Sequence, residues 1–420
     1  SRGLGDVYKR QILVRTGKVR VGEAALEGSG GIGPDTDLNV EISVPDLGSL
    51  VPGTSGTFAL EGRISGRSPA FLFSVKGSGS GLSVPPAAIE ELSFSAEAGA
   101  GFGDPVRVDL AAAGGKLGGQ TVESMRMSAR GTLASHQIDI SIKSPVWDAE
   151  ALVSGQYREG GWAGTAEGMA LGGTFEAEGD VGWIGPIRWE AAFRGTDLRP
   201  EMLGPAFPEN LSLSIESLGE SGPEGTRAEV RVDDLAGVHR ERPIRGKMDV
   251  GILPEGLEVR NMDLGIGGGT LNASGRLLES WDLDWAMDLP DLSSLVEGFE
   301  GMTSGSGRVT GSRHAPRVSG KLTGRGLAFG SSKVQQILVD ADISADPSED
   351  SRARIDVSGF SAGALEVQSG SLTASGPIGS HRLSVTARSP VLDADMEISG
   401  GFHDGSWTGE VNRWQVDSED

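Results

Sequence analysis

Matched histidines and tryptophans and a run of carboxylates are the candidates for chemistry in this chain, and its 420 residues include no cysteine. That excludes a disulfide framework, a thiolate metal site and a cysteine nucleophile. The five histidines show no metal-ligand spacing. Two of them, His136 and His381, occupy matching places in two similar stretches and read as strand-start residues. Trp162 and Trp407, also matched, read as hairpin anchors within GxWxG patterns. Asp282, Asp284 and Asp288 share one side of an alternating run and read as a solvated face, not as a glycosidase carboxylate pair. GGIGPDTDL, from Gly30 to Leu38, reads as a glycine turn, since a calcium-binding nonapeptide needs tandem copies. Asn210-Leu-Ser212 and Asn272-Ala-Ser274 match a glycosylation pattern that is common by chance. No Walker loop, HExxH or GxSxG occurs, so neither enzymatic activity nor a metal or cofactor is expected.

The elements that carry these residues follow a period of two. Leu38, Val40, Ile42 and Val44 alternate with Asn39, Glu41 and Ser43, and Ile138, Ile140 and Ile142 alternate with Asp139, Ser141 and Lys143. The pattern recurs with Leu211, Leu213 and Ile215, with Ala228, Val230 and Val232, with Met248, Val250 and Ile252, and with Leu383, Val385 and Ala387. Its clearest run is Trp281, Leu283, Trp285, Met287 and Leu289. Such alternation predicts strands with one apolar and one polar face. SGSG, GGG, PEG and DGS clusters between the runs predict tight reversals. Short helix-like turns are expected only near Pro200 to Phe207 and Leu292 to Phe299.

The runs repeat at a spacing of 245 residues. SHQIDISIKSPVWDAEALVSG, starting at Ser135, matches SHRLSVTARSPVLDADMEISG, starting at Ser380, and PDLGSLVPGTSG at Pro45 matches PDLSSLVEGFEG at Pro290. The same register brings Trp162 onto Trp407, so the architecture is serial and hypotheses start from extended surfaces. Residues 12–256 form a first repeat unit and 257–420 a second, truncated one, both of β-groove type. Residues 1–11, ending in DVYKRQ, read as a sequencing or cloning scar. The chain lacks an initiator Met and stops before its second copy has run as far as the first, and is expected to be an internal fragment.

So many short strands cannot close into one sandwich, because open sheets beyond about ten strands curl or split. The expected fold is all-β: an elongated, curled antiparallel sheet forming an open apolar groove. With 66 glycines and 5 % aromatic residues beside abundant aliphatics, the composition is neither collagen-like nor disordered. A formal charge of -22 and the lack of a basic patch argue against a nucleic-acid partner.

The block DLxxLxPxxxGxxxLxGxxSG at Asp46 to Gly66, with its counterpart at Asp291 to Gly311, resembles the repeats of the TamB family, AsmA-like translocation and assembly module proteins of Gram-negative envelopes. The stretch Gly195 to Ser217, the strand His381 to Ala387 and the hairpin Gly405 to Gly409 are similar to further features of that family. The resemblance implies a non-enzymatic β-groove that spans the periplasm, in a parent protein anchored in the inner membrane. It implies phospholipid acyl chains as cargo, support of outer-membrane protein assembly or secretion, and the Omp85-type barrel TamA as partner. The lipid-facing candidates are then Val40, Ile42, Ile138, Ile140, Ile142, Leu213, Val230, Val250, Leu283, Trp285, Met287, Leu383 and Val385. On this reading the paired tryptophans at a trough's rim would also reach a lipid headgroup.

Two alternatives share the pattern. A structural stalk or adhesin-like β-solenoid with a packed, ligand-free core gives the same alternation. A carbohydrate-binding β-protein would expose aromatics in a cleft, which eight tryptophans over this length support poorly.

Overall fold

The computed structural model describes residues 12–85, 87–294, 298–363, 365–390, 392–403 and 406–417. The stretch 1–11, read as a scar, lies outside them, as does the Gly405 end of the second tryptophan hairpin.

The chain divides into two compact units, Ser1–Phe207 and Pro208–Asp420. The first contains β1 (Ile12–Val21), β2 (Ala24–Ile32), β3 (Thr36–Val44), β4 (Ser55–Arg67) and β5 (Ala70–Val84). It continues with β6 (Ala87–Gly99), β7 (Pro105–Leu117), β8 (Gln120–Thr132) and β9 (Ser135–Lys143). It ends with β10 (Asp148–Arg158), β11 (Gly161–Ala170), β12 (Gly173–Gly182) and β13 (Ile187–Leu198). Every strand pairs antiparallel with the next.

The second unit contains β14 (Asn210–Gly222), β15 (Gly225–His239), β16 (Arg242–Leu253), β17 (Gly256–Ile266) and β18 (Gly269–Leu277). It continues with β19 (Ser280–Leu289), β20 (Phe299–Ser312), β21 (Ala315–Phe329), β22 (Ser332–Ser344) and β23 (Asp350–Ala362). It ends with β24 (Leu365–Pro377), β25 (His381–Arg388), β26 (Asp393–His403) and β27 (Ser406–Asp417). Its strands also pair antiparallel in sequence order. Among the described residues no ladder closes β1 onto β13 or β14 onto β27, so the all-β antiparallel fold stays open.

The stretches expected to hold helix-like turns contain 3-10 turns at Pro200–Leu203 and Leu292–Ser294, with a third at Leu47–Ser49, and residues 295–297 of the second stretch lie outside the described residues. Aspartate sets two of them. The Asp46 carboxylate accepts from the Gly48 N–H at 2.9 Å, and the Asp291 carboxylate accepts from the Ser293 N–H at 3.0 Å. These are Asx turns, which reward reversal over helix propagation. The GGIGPDTDL segment is a turn as well, where the Thr36 hydroxyl accepts from the Gly33 N–H and donates to its carbonyl.

The repeat is visible in three dimensions. Advancing 245 positions carries β2 onto β18, β5 onto β21, β6 onto β22, β7 onto β23, β8 onto β24 and β10 onto β26, end for end. Even the backbone irregularities recur. Gly56 (φ 107°) and Gly301 (φ 104°) both break the ladder register of their strand, and a Cβ at either would stand 2.5 Å from a neighbouring carbonyl oxygen. Only glycine fits such a break.

Little of the chain is covered. The buried hydrophobic residues are Ala24, Val44, Leu198, Ala228 and Val232, and the chain exposes 25891 Å². A compact monomer of its mass would expose about 15,000 Å². Among the described residues, the substantial packing within each unit joins strands that are consecutive in sequence. Within the first unit the sheet nevertheless curls. Gln120 at the start of β8 donates to the Leu203 carbonyl, just past β13, at 3.5 Å. Five flat strand spacings would separate these strands by about 24 Å.

Candidate functional site

Residues paired across an antiparallel ladder share a face, and neighbours along a strand alternate between faces. The registers therefore trace rows across each unit. One row holds Leu26, Ile42, Leu60, Gly77, Phe94 and Leu110 on β2–β7, then Met127, Ile140, Ala151, Gly168, Phe175 and Gly195 on β8–β13. The next row on the same face holds Gly28, Val40, Gly62, Val75, Ala96 and Val108, then Ala129, Ile138, Val153, Ala166, Ala177 and Phe193. Neither row carries a charge across twelve strands. Ile142, paired with Met125 and Ala149, starts a third.

The second unit repeats the arrangement. Leu235, Gly246, Leu264, Leu271, Met287 and Gly305 lead into Leu322, Val339, Ile355, Leu372, Val385, Met396 and Trp414. Alongside run Ile215, Val232, Met248, Met262, Ala273 and Trp285, and then Gly307, Gly320, Ala341, Ala353, Ala374, Leu383, Ile398 and Val411. Val230, Val250 and Leu283 share a further row through Val259 and Gly275. Twelve of the thirteen candidates named from sequence thus stand on paired uncharged rows; Leu213 sits at the β14 register shift between Ser212 and Ser214. The uncharged face is half-buried for most of its area and open in places, with Leu26 42 % and Trp414 66 % exposed.

Aromatic rings on this face lie down. The Trp285 ring extends over Gly307 towards Gly320, and Phe94 covers Gly77 and stacks on Phe58 with ring centroids 6.1 Å apart. Glycine beneath a ring keeps a bulky side chain within a shallow relief. Trp162 on β11 reaches over Gly155 of β10, and its Nε1 donates to His136 Nε2 on β9 at 3.0 Å. Trp407 does the same over Gly400, donating to His381 Nε2 at 2.9 Å. The tryptophans are hairpin anchors, as expected, and the histidines stand at strand starts. Sequence reading missed that they bond each other, although all four recur in one register.

The opposite face holds the charge. Arg63 donates two hydrogen bonds to Asp37, at 2.8 and 2.9 Å, and holds that carboxyl below its usual range. Arg276 and then Arg260 lower Glu258, Arg317 and Arg352 lower Asp342, and Arg354 together with Ser371 lowers Asp356. Asp282 of the acidic run accepts from Arg308 at 2.6 Å. A recess of about 1300 Å³ in the first unit also opens on this side. Its walls are the rows flanking Ile140, among them Lys76, Asp109, Arg126, Asp139, Glu150 and Glu167, which alternate away from the uncharged face. Leu110, Met127, Ile140, Leu152, Met169 and Phe175 line it together with these charged residues, so the recess is mixed in character. Among the described residues no cluster of three or more His, Asp or Glu is disposed to hold a metal, and no helix is long and apolar enough to cross a membrane.

Fold and face together define an open antiparallel β-protein in which each unit carries long rows of uncharged side chains on one side. The chain belongs to the TamB family: it matches the family described as TamB, N-terminal domain, over residues 8–171 and 166–420. It is similar to the translocation and assembly module subunit TamB of Haemophilus influenzae, with 23 % identity over 251 residues. That match covers 58 % of this chain and 19 % of the relative, so the chain spans about a fifth of the relative's length. No solved structure matches it.

Proposed function

We infer that this chain is a non-enzymatic conduit of a translocation and assembly module in a Gram-negative envelope, where its uncharged face carries phospholipid acyl chains between the inner and outer membranes. One observation carries the reading: rows of twelve or more paired positions without a charge, with large apolar side chains such as Leu26 and Trp414 exposed along them. Acyl chains on such a surface gain about 0.8 kcal/mol per buried methylene. The ion-paired opposite face stays in water. Rings laid over glycines leave few deep pockets to trap a moving chain. Family membership supports periplasmic placement of a parent anchored in the inner membrane, a TamA-type barrel as partner, and support of outer-membrane protein assembly.

The test uses the chain expressed in a bacterial periplasm and purified without detergent, with a photo-crosslinking residue at Leu283 or, as the outward control, at Asp284. Phospholipid recovered by mass spectrometry and crosslinked only from position 283 is the expected result. A folded, lipid-free protein with no crosslink at either position would identify a structural stalk instead.

A further inference from the structure

We propose that each repeat carries an acid-opened site for the anionic head of an amphiphile, built from His136 with Trp162 and from His381 with Trp407. The proposal rests on the reading that the uncharged face holds acyl chains.

Each imidazole has a single proton assignment that satisfies its neighbours. His136 Nδ1 lies 3.3 Å from the Thr132 carbonyl oxygen, and His381 Nδ1 lies 3.0 Å from that of Ile378. A carbonyl only accepts and an indole N–H only donates, so Nδ1 carries the proton and Nε2 receives the tryptophan. Both rings are therefore neutral, with every polar atom engaged. An acyl chain passing this clasp meets no free hydrogen-bonding group.

One proton per site changes this. Protonated Nε2 becomes a donor, the indole N–H loses its acceptor, and two N–H groups about 3 Å apart compete for a third party. On a face otherwise made of hydrocarbon, the acceptor that fits is an anion attached to an acyl chain. Each indole lies over a glycine, where a Cβ at Gly155 or Gly400 would stand 2.5 or 2.4 Å from the ring, and its N–H is held by the histidine alone.

The surroundings supply no competing charge. His136 shares its face with Gly131 of β8, Gly155 and the Tyr157 phenol of β10, Gly164 of β11 and Gly179 of β12. Arg130, Arg158 and Asp180 alternate to the other side, where Arg158 and Asp180 approach to 4.0 Å. His381 shares its face with Gly400, Gly409 and Phe402, while Arg382 and Glu410 point away. Tyr157 is a titratable group on the face of the first clasp, and Glu159 follows it at the turn that leads to Trp162.

The whole chain is titrated with three single-chain amphiphiles below their micelle concentrations: a lysophosphatidylglycerol, an alkyl sulfonate and an alkyl maltoside. Between about pH 7.5 and about pH 5 both anions should gain roughly tenfold or more in affinity, as befits charge-assisted hydrogen bonds, while the maltoside stays constant. The indole N–H resonances of Trp162 and Trp407 should shift over the same interval. In H136Q/H381Q the glutamine carbonyl still accepts from the indole and does not titrate, so all three amphiphiles should bind without the acid gain. A gain for the lysolipid alone would narrow the site to phosphodiesters. The proposal is overturned if the anions gain nothing, if the maltoside gains equally, or if the glutamine variant keeps the gain. Failure of all three to bind at either pH would sink the acyl-surface reading and this site with it.

Discussion

Strands β5–β9 and β21–β25 are two renderings of one scaffold, and they differ on a single face. Their uncharged rows match in kind: Phe94, Leu110, Met127 and Ile140 in the first, Val339, Ile355, Leu372 and Val385 in the second. The charged faces diverge. Lys321 pairs with Asp340 at 3.1 Å, whereas the matched Lys76 stands opposite Ser95. Arg354 pairs with Asp356 at 2.8 Å, and the matched positions are Asp109 and Ala111. Arg388 holds Asp395 at 3.1 Å, while the matched Lys143 and Glu150 form no ion pair. Where the second copy is laced by arginine, the first has an open recess of mixed lining. Exposed ion pairs contribute about 0–1 kcal/mol each, so their loss leaves the fold intact. What the two copies share is the uncharged face and the glycine breaks, and these specify the structure.

The strongest way to break this comparison is to place a charge on the shared face. Ile140→Asp and its mate Val385→Asp should each cost roughly 2–4 kcal/mol, since a half-buried carboxylate there has no partner. Urea unfolding measures this, with Asp139→Ala and Ser384→Ala on the opposite face as controls expected within about 0.5 kcal/mol. Unequal losses at the two mates would show that the copies do not use the face alike. Both charged variants should also abolish lipid capture.

The glycine breaks come next. Gly56→Ala and Gly301→Ala put a Cβ 2.5 Å from a carbonyl oxygen at φ 107° and 104°. Each should lose about 2–3 kcal/mol through backbone strain. Gly155→Val meets a movable ring, Gly400→Val meets both the ring and the Thr408 carbonyl oxygen at 2.6 Å, and about 1–3 kcal/mol is expected, more at Gly400 than at Gly155. Their sharper readout is spectroscopic: the indole N–H of Trp162 or Trp407 should exchange with solvent faster once the ring is lifted from its histidine.

The legible part of this molecule was whatever follows a period of two within one strand. The run from Trp281 to Leu289 announces its faces, and β19 presents them as expected. In β11, GWAGTAEGMA, small residues hold the inward positions Gly164, Ala166 and Gly168, and the pattern fades. The reason is tertiary: the Trp162 ring lies against Gly164 and Gly155, so larger residues would not fit beneath it. The clasp itself needs two ladder registers to bring His136 within reach of Trp162, and no local period encodes a register. The 3-10 turns at Pro200–Leu203 and Leu292–Ser294 were legible as short helix-like turns, and the one at Leu47–Ser49, set by the Asp46 carboxylate, was not. The recess could not be read at all, since it depends on which rows the ladder registers bring side by side.

Acid separates the two copies most gently. Asp342 and Asp356 on β22 and β23 sit below the ordinary carboxylate range because arginine hydrogen bonds favour their ionised forms. A carboxyl whose folded-state value is depressed adds stability above its unfolded value, and that stability is lost as pH falls through the folded one. Between about pH 6 and about pH 3, amide protection corrected for intrinsic exchange should therefore fall further in β21–β25 than in β5–β9. The difference should be small, because the groups are largely in water and screened, and Asp342→Asn should remove less than about 1 kcal/mol. Salt should shrink it in the same direction. Equal loss of protection in both copies would mean that the lacing contributes nothing even locally, leaving the uncharged rows to hold each copy alone.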